Sequence, residues 1–130
     1  MLQPVIRAHF ERLQARHPGA ALAALPSGAS LVAVSGLLIP AGWSADKILV
    51  RFLAPNGYPG AAPDCFWVEP AVKLANGRLP KNSQDNNPIP ETNLMGHWFS
   101  WHAVPGSWYP NNHDLLSWLG TCLDRLEHLE

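Results

Sequence analysis

The sequence has few charged residues and few cysteines. Charged residues make up 15% of its 130 residues, and nine basic against ten acidic residues give a net charge of −1. Because no basic cluster occurs, the sequence predicts no positively charged patch that would bind a nucleic acid or an anionic membrane. The two cysteines, Cys65 and Cys122, have no metal-binding spacing, and a single domain of this size does not need a disulfide. We therefore expect no metal and no cofactor.

Long hydrophobic runs are also missing. No apolar stretch reaches the roughly 18 residues that a membrane-spanning helix needs. The N-terminal segment from Met1 to His17 carries three arginines and one glutamate, and is typical of an amphipathic helix, not of a signal peptide. These absences predict a cytoplasmic protein without a membrane partner, folded as a single domain over residues 1–130.

Turn-forming residues are abundant, with 13 prolines and ten glycines, so loops should occupy a large share of the chain. An α+β pattern lies between them. Residues 3–17 are predicted to be helical, because apolar side chains recur at spacings of three and four. Three stretches rich in β-branched and aromatic residues, Ser30–Pro40, Lys47–Leu53 and Cys65–Val68, are predicted strands. Their short connections predict an antiparallel meander packed on the helix.

The second half of the chain predicts one long loop and one helix. Residues 74–93 are polar and punctuated by proline and glycine, and a loop of this length inside a compact domain tends to be functional. Asn112 or Asp114 is suited to cap the last helix. The apolar stripe of that helix comprises Leu115, Leu119, Cys122, Leu126 and Leu129.

The segment from Gly96 to Pro110 holds three of the six tryptophans and two of the six histidines. It also contains Ser100. A serine hydroxyl needs a neighbouring base to act as a nucleophile, and His102 or His97 is near enough in sequence to be that base. In an extended segment Ser100 and His102 point the same way. An asparagine amide could then hold the oxyanion, and the candidates are Asn93, Asn86 and Asn87.

The order of these features resembles the ubiquitin-conjugating enzyme (UBC-like) superfamily. The matches are Tyr58-Pro59 with Pro63, Gly96, Trp108-Tyr109-Pro110, and the helix that follows. The resemblance covers nearly the whole chain and is strongest to the compact prokaryotic members. It implies an α+β UBC-like fold with an N-terminal helix, an antiparallel meander, a long active-site loop and a C-terminal helix. The last two helices of the eukaryotic enzymes are missing.

The resemblance also implies a function. In the family a catalytic cysteine lies about eight residues before the tryptophan of the Trp-Ser-Pro motif, and counting back from Trp108 reaches Ser100. The family's His-Pro-Asn motif is absent, and Asn93 is the nearest substitute. The implied activity is that of a bacterial transferase. It accepts the C-terminus of a ubiquitin-like protein from an activating enzyme, as an oxyester on Ser100, and passes it to a target amine. Such bacterial systems also contain a metallopeptidase.

Several other interpretations stay open. The chain could be an inactive UBC-like variant that serves as a binding scaffold for a ubiquitin-like protein or its activating enzyme. Cys65 is a rival nucleophile, although a cysteine within an apolar strand usually behaves as a small buried hydrophobe. A zinc site formed by His97, His102 and His113 lacks a recognised spacing. A Ser-His hydrolase is disfavoured, because no orienting acid is expected near the pair.

Overall fold

A computed structural model describes residues 3–130, and in this part of the chain two helices lie on one face of a six-stranded antiparallel sheet. The strand order is β1-β2-β3-β4-β6-β5. The elements are α1 (Pro4–Arg16), β1 (Ala21–Ala24), β2 (Ser30–Leu38), β3 (Lys47–Ala54), β4 (Asp64–Glu69), β5 (Ser83–Pro88), β6 (Met95–His102) and α2 (Leu115–Leu126). The predicted α+β class is confirmed. Neither helix is long and apolar enough to cross a bilayer.

The first predicted helix and the three predicted strands are present, as α1, β2, β3 and β4. The N-terminal amphipathic segment was expected to begin at Met1, and Met1 and Leu2 lie outside the described residues. The predicted loop over residues 74–93 is wrong in part, because β5 occupies Ser83–Pro88. This strand has the sequence Ser-Gln-Asp-Asn-Asn-Pro, whose side chains have low β propensity. It is extended because its backbone pairs with β6 at the edge of the sheet.

The core lies between the sheet and the two helices. Fully buried side chains alternate with less buried ones along β3 and in the middle of β6, as the pleat requires. At its centre the rings of Phe66 and Phe99 stack with centroids 4.8 Å apart and an interplanar angle of 2°. We call the helix-covered side of the sheet the inner face and the opposite side the outer face.

The turn after β3 is joined to both α1 and the segment that follows β6. The buried Tyr58 hydroxyl lies 2.6 Å from His9 Nδ1. Burial raises the pKa of Tyr58 and lowers the pKa of His9, so a neutral phenol and a neutral imidazole share this hydrogen bond. The Trp108 indole N–H donates to the Pro59 carbonyl oxygen at 2.7 Å. The predicted Tyr-Pro turn therefore holds α1 and the segment around Trp108 together.

A capping box begins α2. The Asp114 carboxylate accepts from the Ser117 N–H at 3.0 Å, and the Ser117 hydroxyl accepts from the Asp114 N–H at 2.7 Å. Four members of the predicted stripe are buried, namely Leu115, Leu119, Cys122 and Leu126. Leu129 was predicted to belong to the same helical stripe. This prediction was wrong, because α2 ends at Leu126 and the Leu129 side chain is 47% exposed.

The cap of α2 can be tested by substitution. We expect Asp114→Ala to lower the free energy of unfolding by about 1 kcal/mol, because the N–H of Ser117 loses its acceptor. Asp114→Ser keeps a capping oxygen and should retain most of the stability. The measurement is urea unfolding followed by circular dichroism.

Arg12→Ala is the control, because Arg12 also binds the Asp114 carboxylate at 2.9 Å and its side chain is 60% exposed. A surface ion pair of this kind contributes little. If Arg12→Ala were as destabilising as Asp114→Ala, the ion pair and not the cap would explain the loss.

Candidate functional site

Ser100 and His102 lie on the outer face of β6. Ser100 is half-buried, and the His102 side chain is 70% exposed. The residues that alternate with them, Phe99 and Trp101, face the helices. This alternation fixes the direction of both polar side chains, and the serine and histidine therefore share one surface.

A β-bulge lies at Ser100. Phe99 pairs with Phe66 and His102 pairs with Asp64, so Ser100 and Trp101 together lie opposite the single residue Cys65. The backbone of Cys65 is left-handed, with φ of 55°. A non-glycine residue in this conformation costs roughly 1–3 kcal/mol, and such residues, like bulges, cluster at functional sites. The main chain is therefore irregular beside the candidate nucleophile.

On its other side Ser100 is bonded to Asn82. The Ser100 N–H donates to the Asn82 carbonyl oxygen at 2.7 Å, and Asn82 has a left-handed φ of 61°. An open cleft of about 380 Å³ lies here. Its lining residues are Asn82, Ser100, Trp101, His102, Val104 and Pro105. Asn82 thus lies beside Ser100 on the same cleft, although the sequence pointed to other asparagines.

Asn93 does not lie beside Ser100. It is exposed in the turn between β5 and β6, before the start of β6 at Met95. At roughly 3.3 Å per residue, about 16 Å of extended chain separates Met95 from Ser100. The geometry therefore gives Asn93 no contact with the serine, in spite of its place in the motif comparison.

His97 lies on the inner face, away from Ser100. Its side chain is 1% exposed, and its Nδ1 accepts a hydrogen bond from the Val72 N–H at 3.1 Å. The ring packs 4.8 Å from that of Phe99. Burial lowers the pKa of His97, and Asp85 opposes this weakly. The expectation that His97 could serve as the base is not met, because it is a neutral core histidine on the opposite side of β6.

An acid lies next to His102. Asp64 is its direct partner across the β4–β6 pairing, and Asp64 Oδ1 is 3.9 Å from His102 Nδ1. The two side chains are 77% and 70% exposed. The expectation that no orienting acid lies near the serine and histidine was wrong, because strand register brings Asp64 there from a distant part of the chain.

Cys65 is close to the site but poorly activated. It is half-buried, and burial raises the pKa of its thiol. A hydrogen bond from the Trp98 side chain lowers that pKa, and Asp64 raises it further. The thiolate is the reactive form of cysteine, so a raised pKa makes Cys65 a weaker nucleophile at neutral pH. Cys122 is fully buried in α2, as expected.

Arg125 supports the site from the inner face. Its guanidinium carbon lies 5.4 Å from the ring centre of Phe99 and 5.5 Å from that of Trp101. The same group donates to the carbonyl oxygens of Lys81, His128 and Glu130 at 3.0, 2.9 and 2.7 Å. Because Lys81 precedes Asn82, Arg125 connects the end of α2 to the segment that leads into β5 and lies beside Ser100.

The geometry does not show a metal centre. Across residues 3–130 no three His, Cys, Asp or Glu side chains are grouped so that they could hold a metal ion. The His113 ring is engaged locally, since its Nδ1 accepts from the Tyr109 N–H at 2.8 Å. The polar residues on this part of the outer face of β6 are Ser100, His102, Asp64 and Asn82.

The fold is consistent with a compact E2-like protein, the class that carries ubiquitin-like proteins during conjugation. The chain belongs to prokaryotic E2 family E, whose family model matches residues 22–129. Membership implies a conjugation-related function and, in general, interaction with a ubiquitin-like protein and its activating enzyme. Comparisons with curated proteins and with solved structures found no match.

The buried His97 should make stability depend on pH. The lowered pKa means that the unfolded chain, with an ordinary histidine pKa of 6.5, takes up a proton before the folded chain does. The contribution of neutral His97 to the free energy of unfolding is therefore complete above about pH 6.5 and is lost as the pH falls. For one proton, the free energy of unfolding falls by no more than about 1.4 kcal/mol per pH unit. We expect His97→Asn, which keeps an acceptor for Val72, to reduce this dependence. Urea midpoints at pH 7.5 and 5.0 measure it.

The matched control is His128→Asn, because His128 is exposed. We expect it to leave the difference between the two midpoints unchanged. His9 has a pKa shifted in the same direction, so some acid sensitivity should persist in His97→Asn. An undiminished difference in His97→Asn would show that His97 is not a source of the effect.

Proposed function

We propose that this protein carries a ubiquitin-like protein as an oxyester on Ser100 and transfers it to a target amine. The observation that supports this most directly is the shared surface at the bulge of β6. Ser100, His102 and Asn82 line one open cleft there. A hydroxyl, a base and an amide donor are the groups that acyl transfer to serine requires.

In the first step the Ser100 hydroxyl oxygen attacks the thioester carbonyl carbon at the C-terminus of the ubiquitin-like protein. His102 takes the hydroxyl proton, a C–O bond forms, and the C–S bond to the activating enzyme breaks. His102 passes the proton to the departing sulfur, which leaves as a free thiol. Thiolate is a better leaving group than alkoxide, so transfer from sulfur to oxygen runs in the favourable direction.

In the second step a target amine attacks the oxyester carbonyl carbon. A C–N bond forms, and the C–O bond to Ser100 breaks. His102 takes a proton from the amine nitrogen and returns one to the Ser100 oxygen, which regenerates the hydroxyl. Both steps pass through a tetrahedral oxyanion, and the Asn82 amide is the donor that would stabilise it.

The proposal is tested by trapping the intermediate. The protein is incubated with its activating enzyme, the ubiquitin-like protein and ATP, and the products are separated with and without reductant. We expect an adduct that resists reductant but is cleaved by hydroxide or hydroxylamine, and we expect Ser100→Ala to abolish it. Ser83→Ala is a matched control. Ser83 lies on the neighbouring strand β5 but does not line the cleft, and its hydroxyl donates to the Pro80 carbonyl oxygen.

Three outcomes would contradict the proposal. An adduct that persists in Ser100→Ala excludes this serine as the acceptor. An adduct that is cleaved by reductant and lost in Cys65→Ala transfers the role to the cysteine. If the activating enzyme is charged and no adduct forms on this protein, the scaffold function is favoured instead.

The role of Asn82 gives a separate prediction. We expect Asn82→Ala to slow adduct formation by up to about a hundredfold, which is the lower end of the loss measured when one oxyanion donor is removed. The measurement is the initial rate of adduct formation at saturating donor. Asn93→Ala is the matched control and should leave the rate unchanged, because Asn93 lies in the distant turn. Equal losses in the two variants, or a loss confined to Asn93→Ala, would refute the assignment.

A further inference from the structure

A carboxylate next to the candidate base takes no part in the two transfer steps. Asp64 does not line the cleft that Ser100 and His102 share, and its side chain is 77% exposed. It lies directly opposite His102 in the β4–β6 pairing, with Oδ1 3.9 Å from Nδ1. Of the two ring nitrogens, Nδ1 is therefore the one that meets the acid.

We propose that Asp64 is a positioning residue, which holds His102 in the tautomer whose Nδ1 carries the proton and whose Nε2 is free to accept one. This inference rests on the proposed function of Ser100. A neutral imidazole has one N–H and one bare nitrogen, and the partner of one nitrogen decides the state of the other. A carboxylate accepts only, so an acid at Nδ1 favours the Nδ1–H form.

The backbone geometry explains why these two exposed side chains lie next to each other. Directly opposite residues of an antiparallel pair have Cβ atoms about 4.5–5.5 Å apart, on the same face of the sheet. The bulge at Ser100 and Trp101 sets the register that brings Asp64 opposite His102. Without this extra residue on β6, Asp64 would lie opposite Trp101, whose side chain points toward the helices, and not opposite His102.

The exposure of the pair also limits the size of the effect. In serine proteases a buried aspartate in this role contributes about 10⁴-fold to the rate, chiefly by fixing the tautomer. At a water-exposed pair the attraction is weaker, and we expect Asp64→Asn to slow oxyester formation by roughly tenfold. The amide of asparagine can present a donor to Nδ1 and so favour the wrong tautomer.

The tautomer of His102 is measured first, by long-range ¹H–¹⁵N nuclear magnetic resonance of the free protein at a pH where the ring is neutral. We expect the Nδ1–H form to predominate in the unaltered protein and the Nε2–H form in Asp64→Asn. Asp64→Glu should restore part of the Nδ1–H population. Asp124→Asn is the matched control, because it removes the same charge from an exposed position on α2.

The rate of adduct formation is measured next, with the activating enzyme and the ubiquitin-like protein. We expect Asp64→Asn to lower the maximal rate roughly tenfold without changing the donor concentration at half-maximal rate, and Asp64→Glu to recover part of it. A structural role for Asp64 would instead lower the unfolding midpoint and would leave the tautomer of the folded protein unchanged.

The two proposals fail differently. An unaltered protein whose His102 is mainly in the Nε2–H form, or an Asp64→Asn variant with the same tautomer ratio as the unaltered protein, overturns the role of Asp64 whether or not an adduct forms. If the tautomer responds to Asp64→Asn but Ser100→Ala does not affect the adduct, the positioning of His102 stands and the serine assignment fails. A Ser100 adduct that forms at an unchanged rate in Asp64→Asn overturns the role of Asp64 alone.

Discussion

The stacking of Phe99 on Phe66 determines which residues of β6 face solvent. With this ring pair fixed between the sheet and the helices, the pleat directs Ser100 and His102 outward. A slip of one residue would turn both polar side chains into the core and expose the phenylalanine. Burying two aromatic rings stabilises the folded state by a free energy of several times RT. The register of β6 is therefore strongly specified. The direction of the candidate nucleophile follows from packing behind it and needs no contact on the outer face.

Most of the fold could be predicted where side-chain pattern and backbone structure agree. Sequence periodicity predicts α1 and α2 from their apolar stripes, and β2 and β3 from their β-branched runs, because burial on one face imposes a period on the sequence. The strands β1 and β5 could not be found in this way. One is Ala-Leu-Ala-Ala, and the other has three amides and one acid between a serine and a proline. Each is held at a sheet edge by main-chain hydrogen bonds, which leave no mark on side-chain composition.

The candidate site was predictable only along β6 itself. The spacing of Ser100 and His102 is a local property, and the strand keeps it. The cross-strand neighbours depend on register, which sequence spacing does not encode. Asp64 and Asn82 were missed for this reason. His97 was considered because it is close in sequence, and Asn93 because it is the nearest substitute for the family's His-Pro-Asn motif. One signal for Asn82 was present, namely its place in a polar segment whose length already indicated a function.

The outer face of β6 is open, and this affects the chemistry expected of it. A hydroxyl, an imidazole and a carboxylate surrounded by water interact weakly compared with the same groups in a closed pocket. An E2-like protein acts on the C-terminus of another protein. The bound partner would therefore supply the cover that excludes water from the cleft and strengthens the interactions within it.

The site also depends on Arg125, a buried residue near the end of α2. Its guanidinium binds the carbonyl oxygen of Lys81 on one side and those of His128 and Glu130 on the other. The residue that precedes Asn82 is thus held by the buried guanidinium of Arg125. In a screen for inactive variants, substitutions at Arg125 should therefore appear alongside those at Ser100. They would report on assembly of the cleft and not on proton transfer, and only a variant that stays folded can distinguish the two classes.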